Sequence, residues 1–147
     1  MSRVICLGHA ALDRLYRIEA FPPHPTKVRA LEHIESGGGM AANAAATIAR
    51  LGGKVELWSR IGEDDAGVKI RTGLKAFGVD IRYVQMFEEG RSSTSAIIVD
   101  DAGERLIVGN RDTNMPSGTS WLPFERITKA TVVLGDVRWM QGLRALF

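Results

Sequence analysis

The 147-residue chain contains a single cysteine, no run of basic residues and no apolar run long enough to cross a membrane. Cys6 cannot form an internal disulfide, and its apolar neighbours predict a small buried side chain in a reducing compartment. The 19 basic and 17 acidic residues nearly balance, which makes nucleic acid and membrane surfaces poor partners. The apolar stretch near the N-terminus is also too short for a signal peptide. We therefore expect a cytoplasmic protein with an ordinary globular core.

Several catalytic motifs are missing as well. No Gly-Lys-Ser/Thr triplet follows the glycine-rich stretch, so the chain has no Walker phosphate loop. The histidines His9, His24 and His33 share no metal-like spacing with the cysteine or with paired carboxylates. No Ser-His-Asp set can be argued from spacing either. We therefore predict neither a metal site nor a catalytic triad in this chain.

The most informative stretch is Ser36-Gly37-Gly38-Gly39, which leads directly into the alanine-rich residues 40–46. Alanine is the best helix former, and glycines allow another group to approach the backbone closely. A glycine turn at a helix N-terminus presents free N–H groups that suit a phosphate, a carboxylate or sugar hydroxyls. The alternative is a tight strand-to-helix turn that binds nothing.

A dinucleotide fingerprint is a third interpretation of this turn, because Gly37, Gly39 and Ala42 satisfy G-x-G-x-x-A. That fingerprint requires a buried apolar strand immediately before it. Residues 29–35 are instead charged and typical of a strand with one solvated face. The pattern therefore disfavours dinucleotide binding.

The order of the other segments predicts an α/β architecture. Residues 4–8 and 131–136 are apolar runs typical of strands buried in a parallel sheet, and residues 54–61 predict a further strand. Asp64 is a candidate N-cap for a second helix. The apolar stripe of that helix consists of Ile70, Leu74 and Phe77. Alternating strands and helices predict an α/β layer with right-handed crossovers.

Two further pairs of segments predict a smaller β unit. Residues 12–19 and 27–35 alternate charged and apolar side chains on either side of a proline-rich loop. Residues 95–99 and 105–108 flank a five-residue turn that contains glycine, which is a hairpin signal.

Candidate binding residues follow the predicted buried strands. Asp13 lies just beyond the first strand, where an open α/β sheet places its ligand crevice, and a carboxylate there can accept hydrogen bonds from two vicinal hydroxyls. Asn43 lies in the first turn of the glycine helix, and Asp136 and Arg138 follow the last apolar strand. Each of them also has a simpler interpretation as a solvated surface residue.

Taken together, these segments resemble the N-terminal half of the PfkB-type, ribokinase-like carbohydrate kinases. The matching residues are Gly8 with Asp13, the stretch 38–45, residues 49–52, residues 61–67, residues 74–80 and the Gly103-Glu104-Arg105 hairpin. The resemblance implies an α/β fold with a Rossmann-like, ribokinase-type body, truncated after the N-terminal half, and a small β-sheet lid. The body would comprise residues 1–11, 36–91 and 112–147, and the lid residues 12–35 and 92–111.

The same resemblance implies a sugar site. Asp13, Gly38, Gly39 and Asn43 match positions that hold sugar hydroxyls in that family. Met40 stands where ribokinases proper have a lysine, which argues against a plain ribose substrate.

A branch of the family is also implied. Lys27, Asn110 and the stretch Asp136-Val137-Arg138-Trp139 are most similar to the sulfofructose-kinase and related ketose-kinase branch. In that branch the lysine and the arginine, Lys27 and Arg138, would hold an anionic group at the far end of the sugar. The substrate-binding set would then include Lys27, Asn110 and Arg138.

The resemblance implies transfer of the γ-phosphoryl group of ATP to a primary hydroxyl of a sugar, with Mg²⁺. In the family the catalytic base lies in a second signature, a Gly-Ala-Gly-Asp type turn, which this sequence does not contain. We therefore expect no catalytic residue in this chain, and we expect the complete enzyme to bind ATP and Mg²⁺. The alternative is a non-catalytic fragment that only binds sugar or self-associates.

A homodimer through the lid is the expected assembly, because the lid is too small to bury both of its faces within one subunit. The apolar surface for this contact would come from Leu15, Ile34, Ile97 and Ile107. The expected partners are therefore a small sugar, anionic in the branch named above, and a second copy of the chain.

Overall fold

Two four-stranded sheets organise residues 3–147, the part of the chain that the computed structural model describes. The strands, in chain order, are β1 (Arg3–Gly8), β2 (Ala11–Arg17), β3 (Glu32–Gly38), β4 (Lys54–Gly62), β5 (Asp80–Phe87), β6 (Ser93–Val99), β7 (Arg105–Asn110) and β8 (Val132–Gly135). The α-helices of the described residues are α1 (Met40–Arg50), α2 (Asp65–Ala76) and α3 (Met140–Leu146), and a 3₁₀ helix spans Phe124–Lys129.

The first sheet, which we call the body sheet, is parallel throughout and has the strand order β5-β4-β1-β8. Strand β1 distributes its side chains between two cores. Cys6 lies in the core beneath α1 and α2, whereas Ile5 and Leu7 pack with Trp58 and Trp139 on the opposite face. Because both faces are covered, the strand must be apolar throughout, which confirms the buried strand predicted for residues 4–8.

The two helices over the body sheet begin and end largely as predicted. The N-cap of α2 is Asp64, whose Oδ1 accepts a hydrogen bond from the Gly67 N–H at 2.8 Å. Ile70 and Leu74 are buried, but Phe77 follows the last helical turn and is 47% exposed, so its place in the apolar stripe was wrong. Among residues 3–147, no helix combines the length and the apolar character needed to span a membrane.

The second sheet, which we call the lid sheet, has the order β3-β2-β6-β7. Strand β2 pairs antiparallel with β3 and parallel with β6, and β6 pairs antiparallel with β7. One cross-strand row of this sheet consists of the four apolar residues Ile34, Leu15, Ile97 and Ile107. Since side chains alternate between faces along a strand, these four share one face of the lid sheet.

Three strands differ from the sequence-based expectation. Strand β8, which was expected to be buried, is largely exposed. Strand β3 begins at Glu32 rather than at residue 27, because its partner β2 ends at Arg17, which pairs with Glu32. Strand β3 also continues through Gly38, so two glycines of the expected turn are extended strand. Strand β5 was not predicted, and only Val84 within it is buried, which explains its weak apolar pattern.

Candidate functional site

The carboxylate of Asp136 connects three segments at the carboxyl edge of the body sheet. Its Oδ2 accepts hydrogen bonds from the backbone N–H groups of His9, at 2.8 Å, and Ala41, at 3.0 Å. Its Oδ1 accepts a hydrogen bond from the Arg138 N–H at 2.8 Å. This side chain therefore ties the segment after β8 to the end of β1 and to the N-terminus of α1.

Two glycines permit this close approach. Gly8 lies against Asp136, and a Cβ at Gly8 would come within 2.3 Å of the carboxylate. Gly39 has φ +95°, and a Cβ there would lie 2.4 Å from the carbonyl oxygen of His9. A larger residue at Gly8 would displace the Asp136 carboxylate, and one at Gly39 would push the start of α1 away from the segment after β1.

The N-terminus of α1 is consequently less open than the sequence suggested. The Ala41 N–H is bound by Asp136, and the Ala42 N–H donates to the carbonyl oxygen of His9 at 3.2 Å. The expectation that this turn offers free N–H groups to a ligand is corrected for these two groups. The N-terminus of α1 therefore binds a carboxylate of the same chain, that of Asp136.

A cavity of about 340 Å³ lies between the lid sheet and the body, and we call it the lid–body cavity. It is lined by residues from the β1–β2 turn, the start of α1, the start of β6 and the segment after β7. Four of the predicted binding residues are among them: Gly39, Asn43, Asn110 and Arg138. These residues are separated by up to 99 positions in sequence, and the fold brings them to one cavity.

Asp13 and Gly38 lie beside this cavity rather than in its lining. A Cβ at Gly38 would lie 2.2 Å from Oδ2 of Asp13, so the glycine leaves room for that carboxylate. In the strand pairing Asp13 is opposite Ser95, which does line the cavity, so the two residues share one face of the lid sheet. Lys27, by contrast, is exposed in the segment between β2 and β3 and is not brought to the cavity.

A second, adjoining cavity of about 440 Å³ contains residues that the sequence did not single out. Four arginines, Arg60, Arg91, Arg111 and Arg138, line it, and we call it the arginine cavity. Only Arg138 had been predicted. The other three lie at or near the ends of strands β4, β5 and β7, which is the signal that could have indicated them.

Arg60 is firmly held in this cavity. Its guanidinium lies over the ring of Trp139, 4.4 Å from the ring centroid, and its Nη1 donates a hydrogen bond to the Pro116 carbonyl oxygen at 2.6 Å. Burial, together with the nearby charge of Arg111, lowers the pKa of Arg60 to about 10. Arg60 therefore remains a cation at neutral pH.

His9 lies where the two cavities meet and lines both. Burial lowers the pKa of His9, and the charges of Arg111 and Arg138 act in the same direction, whereas Asp136 and Asp13 oppose them. A lowered pKa means that the imidazole is neutral at pH 7, so it can both donate and accept a hydrogen bond. From the sequence, His9 had no predicted role beyond its unsuitability as a metal ligand.

No metal site is evident within residues 3–147, where no three His, Cys, Asp or Glu side chains come together. The arrangement is instead a pair of adjoining cavities that share His9, Arg111 and Arg138: the lid–body cavity adds amide and hydroxyl groups, and the arginine cavity adds two further guanidinium groups. Such groups can bind the hydroxyls of a small polar molecule and an anionic substituent.

Comparisons of this chain with known proteins agree on one family. A model of the "pfkB family carbohydrate kinase" matches residues 1–136. The chain is 35% identical over 130 residues to the ATP-dependent ribose-1-phosphate kinase of Halopiger xanaduensis, an alignment that covers 88% of this chain and 44% of that protein. It is 32% identical over 106 residues to the nucleoside kinase of Methanocaldococcus jannaschii, covering 72% and 35%. The chain thus spans less than half the length of these relatives.

Solved structures share the architecture. A candidate ribokinase from Agrobacterium tumefaciens aligns with a TM-score of 0.87 at 36% identity, over 94% of this chain and 45% of that one. The ribokinase of Arabidopsis thaliana, solved with ribose and ATP, aligns with a TM-score of 0.80 at 24% identity, over 99% of this chain and 49% of that one. At 24% identity, the similarity to the Arabidopsis ribokinase shows a shared fold only.

Proposed function

Because the chain belongs to the pfkB family of carbohydrate kinases, we propose that it is the sugar-binding and lid portion of an ATP-dependent sugar kinase. The complete enzyme would transfer the γ-phosphoryl group of ATP to a primary hydroxyl of a sugar or sugar derivative. The substrate named for the Halopiger relative, ribose 1-phosphate, retains such a hydroxyl.

The observation that carries the proposal is the convergence of polar groups on the lid–body cavity. Asn43 from α1 and Asn110 from the end of β7 line it, and Asp13 lies beside it on the same lid face as Ser95. A carboxylate and two amides can hold several vicinal hydroxyls through directed hydrogen bonds. We propose that Asp13, Gly38, Gly39 and Asn43 bind the sugar in this way.

The lid has a catalytic purpose under this proposal. Two of its strands, β6 and β7, contribute residues to one side of the cavity, so closure of the lid would exclude water from the acceptor hydroxyl. Exclusion of water protects ATP from hydrolysis and fixes the sugar in its reactive orientation.

ATP and Mg²⁺ are assigned to the complete enzyme rather than to these residues. The described residues offer no metal cluster, and Asp136 already occupies the N-terminus of α1. The Halopiger relative is named as an ATP-dependent kinase, which supports ATP as the phosphoryl donor. We propose that the catalytic base lies outside residues 1–147.

The exposed edge of the body sheet supports the proposal that another part of the complete enzyme binds ATP and supplies the catalytic base. Val132 and Leu134 in β8 are 45% and 44% exposed, although the strand beside them, β1, is almost wholly buried. Strand β8 is an edge strand of this parallel sheet, and its half-exposed apolar side chains are suited to burial beneath a further element. We propose that the second half of the enzyme packs on this edge.

Self-association through the lid is a second proposal, supported by the apolar row on the lid sheet. Ile34 and Ile107 at the two ends of that row are 46% and 52% exposed. A two-fold contact between two such rows would bury them.

The experiment that tests the main proposal is a kinase assay on the complete protein with a panel of sugars and sugar phosphates. We expect ADP release that depends on one class of sugar and that falls strongly in Asn43→Ala. A Thr72→Ala variant is the matched control, because Thr72 bonds only its own helix at Val68 and should leave the rate unchanged. Absence of sugar-dependent ADP release with every sugar of the panel would contradict the proposal.

A further inference from the structure

Asp64 uses both oxygens of its carboxylate, and only one of them serves the helix that it caps. Its Oδ1 accepts a hydrogen bond from the Gly67 N–H in the first turn of α2, at 2.8 Å. Its Oδ2 accepts a hydrogen bond from the backbone N–H of Ser92, at 2.9 Å and 28 positions away in the sequence. Ser92 immediately precedes β6, so this carboxylate joins the body helix α2 to the start of a lid strand.

Ser92 makes a second contact with the body through its side chain. It is 4% exposed, and its Oγ accepts a hydrogen bond from the N–H of Gly62, the last residue of β4, at 3.0 Å. A Cβ at Gly62 would lie 2.7 Å from the Ser92 backbone nitrogen, and one at Gly67 would lie 2.9 Å from the Ser92 Oγ. The two glycines therefore allow the chain before β6 to lie directly against the end of β4 and the first turn of α2. We call the contacts among Asp64, Ser92, Gly62 and Gly67 the Asp64–Ser92 link.

A helix N-cap by itself does not require an aspartate at this position. Asn and Ser cap helices about as well as Asp does, because one acceptor oxygen is enough. Asp64 instead accepts hydrogen bonds from two backbone donors that belong to different segments. An asparagine offers one acceptor oxygen and an NH₂ donor, and a serine has a single oxygen, so neither can replace both acceptors in this geometry. The second oxygen of Asp64 therefore has a purpose beyond the cap.

The charge of Asp64 strengthens this second contact. Burial by itself would raise the pKa of Asp64, but hydrogen bonds from Ser92 and Gly67 and the nearby charge of Arg91 outweigh burial and hold this pKa below its ordinary value. Asp64 is therefore ionised at neutral pH, and an ionised acceptor forms stronger hydrogen bonds than a neutral one.

The Asp64–Ser92 link lies next to residues that line the lid–body cavity. Ser93, Thr94 and Ser95, the first three residues of β6, all line it. Ser95 is also opposite Asp13 in the pairing of β6 with β2. Because side chains alternate between the faces of a strand, a shift of β6 along β2 would carry these hydroxyls away from their places around the cavity.

We propose that Asp64 is a positioning residue of the sugar site, which holds the start of β6 through Ser92 so that Ser93, Thr94 and Ser95 keep their places around the lid–body cavity. This inference rests on the proposed function, and it adds a residue that lines neither of the two cavities. A cavity lining that is held by hydrogen bonds from behind loses less freedom when a sugar binds.

Two variants remove the link and keep the helix cap. Asp64→Asn and Asp64→Ser each retain an oxygen for the Gly67 N–H, but neither also accepts the hydrogen bond from Ser92. The matched control is Ile70→Val, which shortens a buried side chain of the same helix and leaves the link intact. Each variant is made in the complete protein and assayed for sugar-dependent ADP release, with ribose and ribose 1-phosphate as the first sugars of the panel.

The expected result is a KM for the sugar that rises roughly tenfold in Asp64→Asn and in Asp64→Ser, while kcat and the KM for ATP stay within about twofold of the wild type. This split is expected because the hydroxyls of β6 would bind the sugar equally well in its ground state and in the transition state. Ile70→Val should keep all three constants, although it lowers the urea midpoint of unfolding. A sugar KM that is unchanged in both Asp64 variants, or raised equally by Ile70→Val, would overturn the inference and leave Asp64 as a helix cap only.

Hydrogen exchange gives a second measurement that does not depend on activity. Residues 88–95 of Asp64→Asn should exchange their amide hydrogens faster than the same residues of the wild type and of Ile70→Val, because the Ser92 N–H has lost its acceptor. Equal exchange in all three proteins would contradict the positioning role. A wild type without sugar-dependent ADP release would overturn the proposed function instead, and the exchange comparison would still decide whether Asp64 holds the start of β6.

Discussion

The body sheet and the lid sheet have equal numbers of strands but opposite surroundings. In the body, β1 and β4 are almost entirely buried, because helices cover one face and an aromatic cluster covers the other. In the lid, β7 is exposed along its whole length and β3 is exposed except at its last residue. The body is thus held by apolar burial on two faces, and the lid by its backbone hydrogen bonds and its attachment to the body.

Because of this difference, we expect substitutions in the body and in the lid to affect different properties of the protein. Substitutions in the body should reduce the free energy of unfolding, since they disturb packed or hydrogen-bonded groups. Substitutions in the lid should leave that free energy nearly unchanged and should instead reduce substrate binding or self-association. Four matched experiments examine this division.

The largest difference is expected between two glycines that both have positive φ. Gly39→Ala places a Cβ 2.4 Å from the His9 carbonyl oxygen in the body, and we expect it to cost more than about 4 kcal/mol. Gly103→Ala in the lid hairpin has open space around its Cβ, so only backbone strain of about 1 kcal/mol is expected. Urea denaturation of both variants checks this, and equal losses would contradict the comparison.

A buried ion pair in the body gives the next effect. Burial favours a raised pKa for Glu56, but hydrogen bonds from Arg126 and Trp58 outweigh burial and hold the pKa below its ordinary value. The stability from this pair is therefore present above the unfolded-state pKa and is lost as pH falls through the lower folded-state pKa. We expect Glu56→Gln to cost about 3 kcal/mol at pH 7 and to flatten the acid loss of stability.

The lid offers a control for that experiment. Hydrogen bonds from Lys69 and Arg14 lower the pKa of Glu35 in β3, but this carboxylate is on the surface, where water and salt screen the pair. The stability of Glu35→Gln should follow the wild type across urea unfolding curves measured between pH 3 and pH 7. If Glu35→Gln flattens the acid limb as much as Glu56→Gln does, the distinction between buried and exposed pairs is wrong.

The third effect concerns catalysis rather than stability. Asp13→Ala in the complete enzyme should lower kcat/KM by about 2–3 kcal/mol, or roughly a hundredfold, because the side chain can no longer accept hydrogen bonds from the hydroxyls of a bound sugar. The control is Asp101→Ala in the lid hairpin, whose carboxylate pairs with Arg17 at 2.7 Å, away from the cavity. An unchanged kcat/KM for Asp13→Ala would remove this residue from the proposed sugar site.

The smallest energetic effect is expected for the lid association. Ile107→Lys inserts a charge into the exposed apolar row and should convert a dimer of the complete protein to a monomer, with a change in unfolding free energy below about 0.5 kcal/mol. Leu106→Lys changes the opposite face of the same strand and should leave the dimer intact. Light scattering distinguishes the two, and a monomeric wild type would exclude the lid dimer.

Much of the fold could be predicted because its signals are local. The apolar run of β1, the Asp64 cap of α2 and the glycine-containing hairpin between β6 and β7 each depend on neighbouring residues. The prediction failed where pairing decided the outcome: the start of β3 is determined by the end of β2, and β5 has too few buried residues to show a pattern.

The candidate site was predicted less completely for a related reason. Asn43 and Arg138 were predicted from their positions at a helix start and after a strand, Asn110 was predicted from the family resemblance, and all three line one cavity. His9, Arg60, Arg91 and Arg111 were missed, because a single histidine or arginine in a sequence is indistinguishable from a surface charge. Their importance arises from their positions relative to one another.

The sequence by itself determined the α/β class and a second β unit, since periodicity, caps and turns are properties of adjacent residues. The order and spacing of its motifs carried the resemblance to the pfkB family. Only the tertiary structure decided that Asp136 fills the N-terminus of α1, across 95 positions, and that four arginines share one cavity. Electrostatic and hydrogen-bonding interactions act through space over a few ångströms. The packing of the strands and helices determines which of their side chains come within that distance of one another.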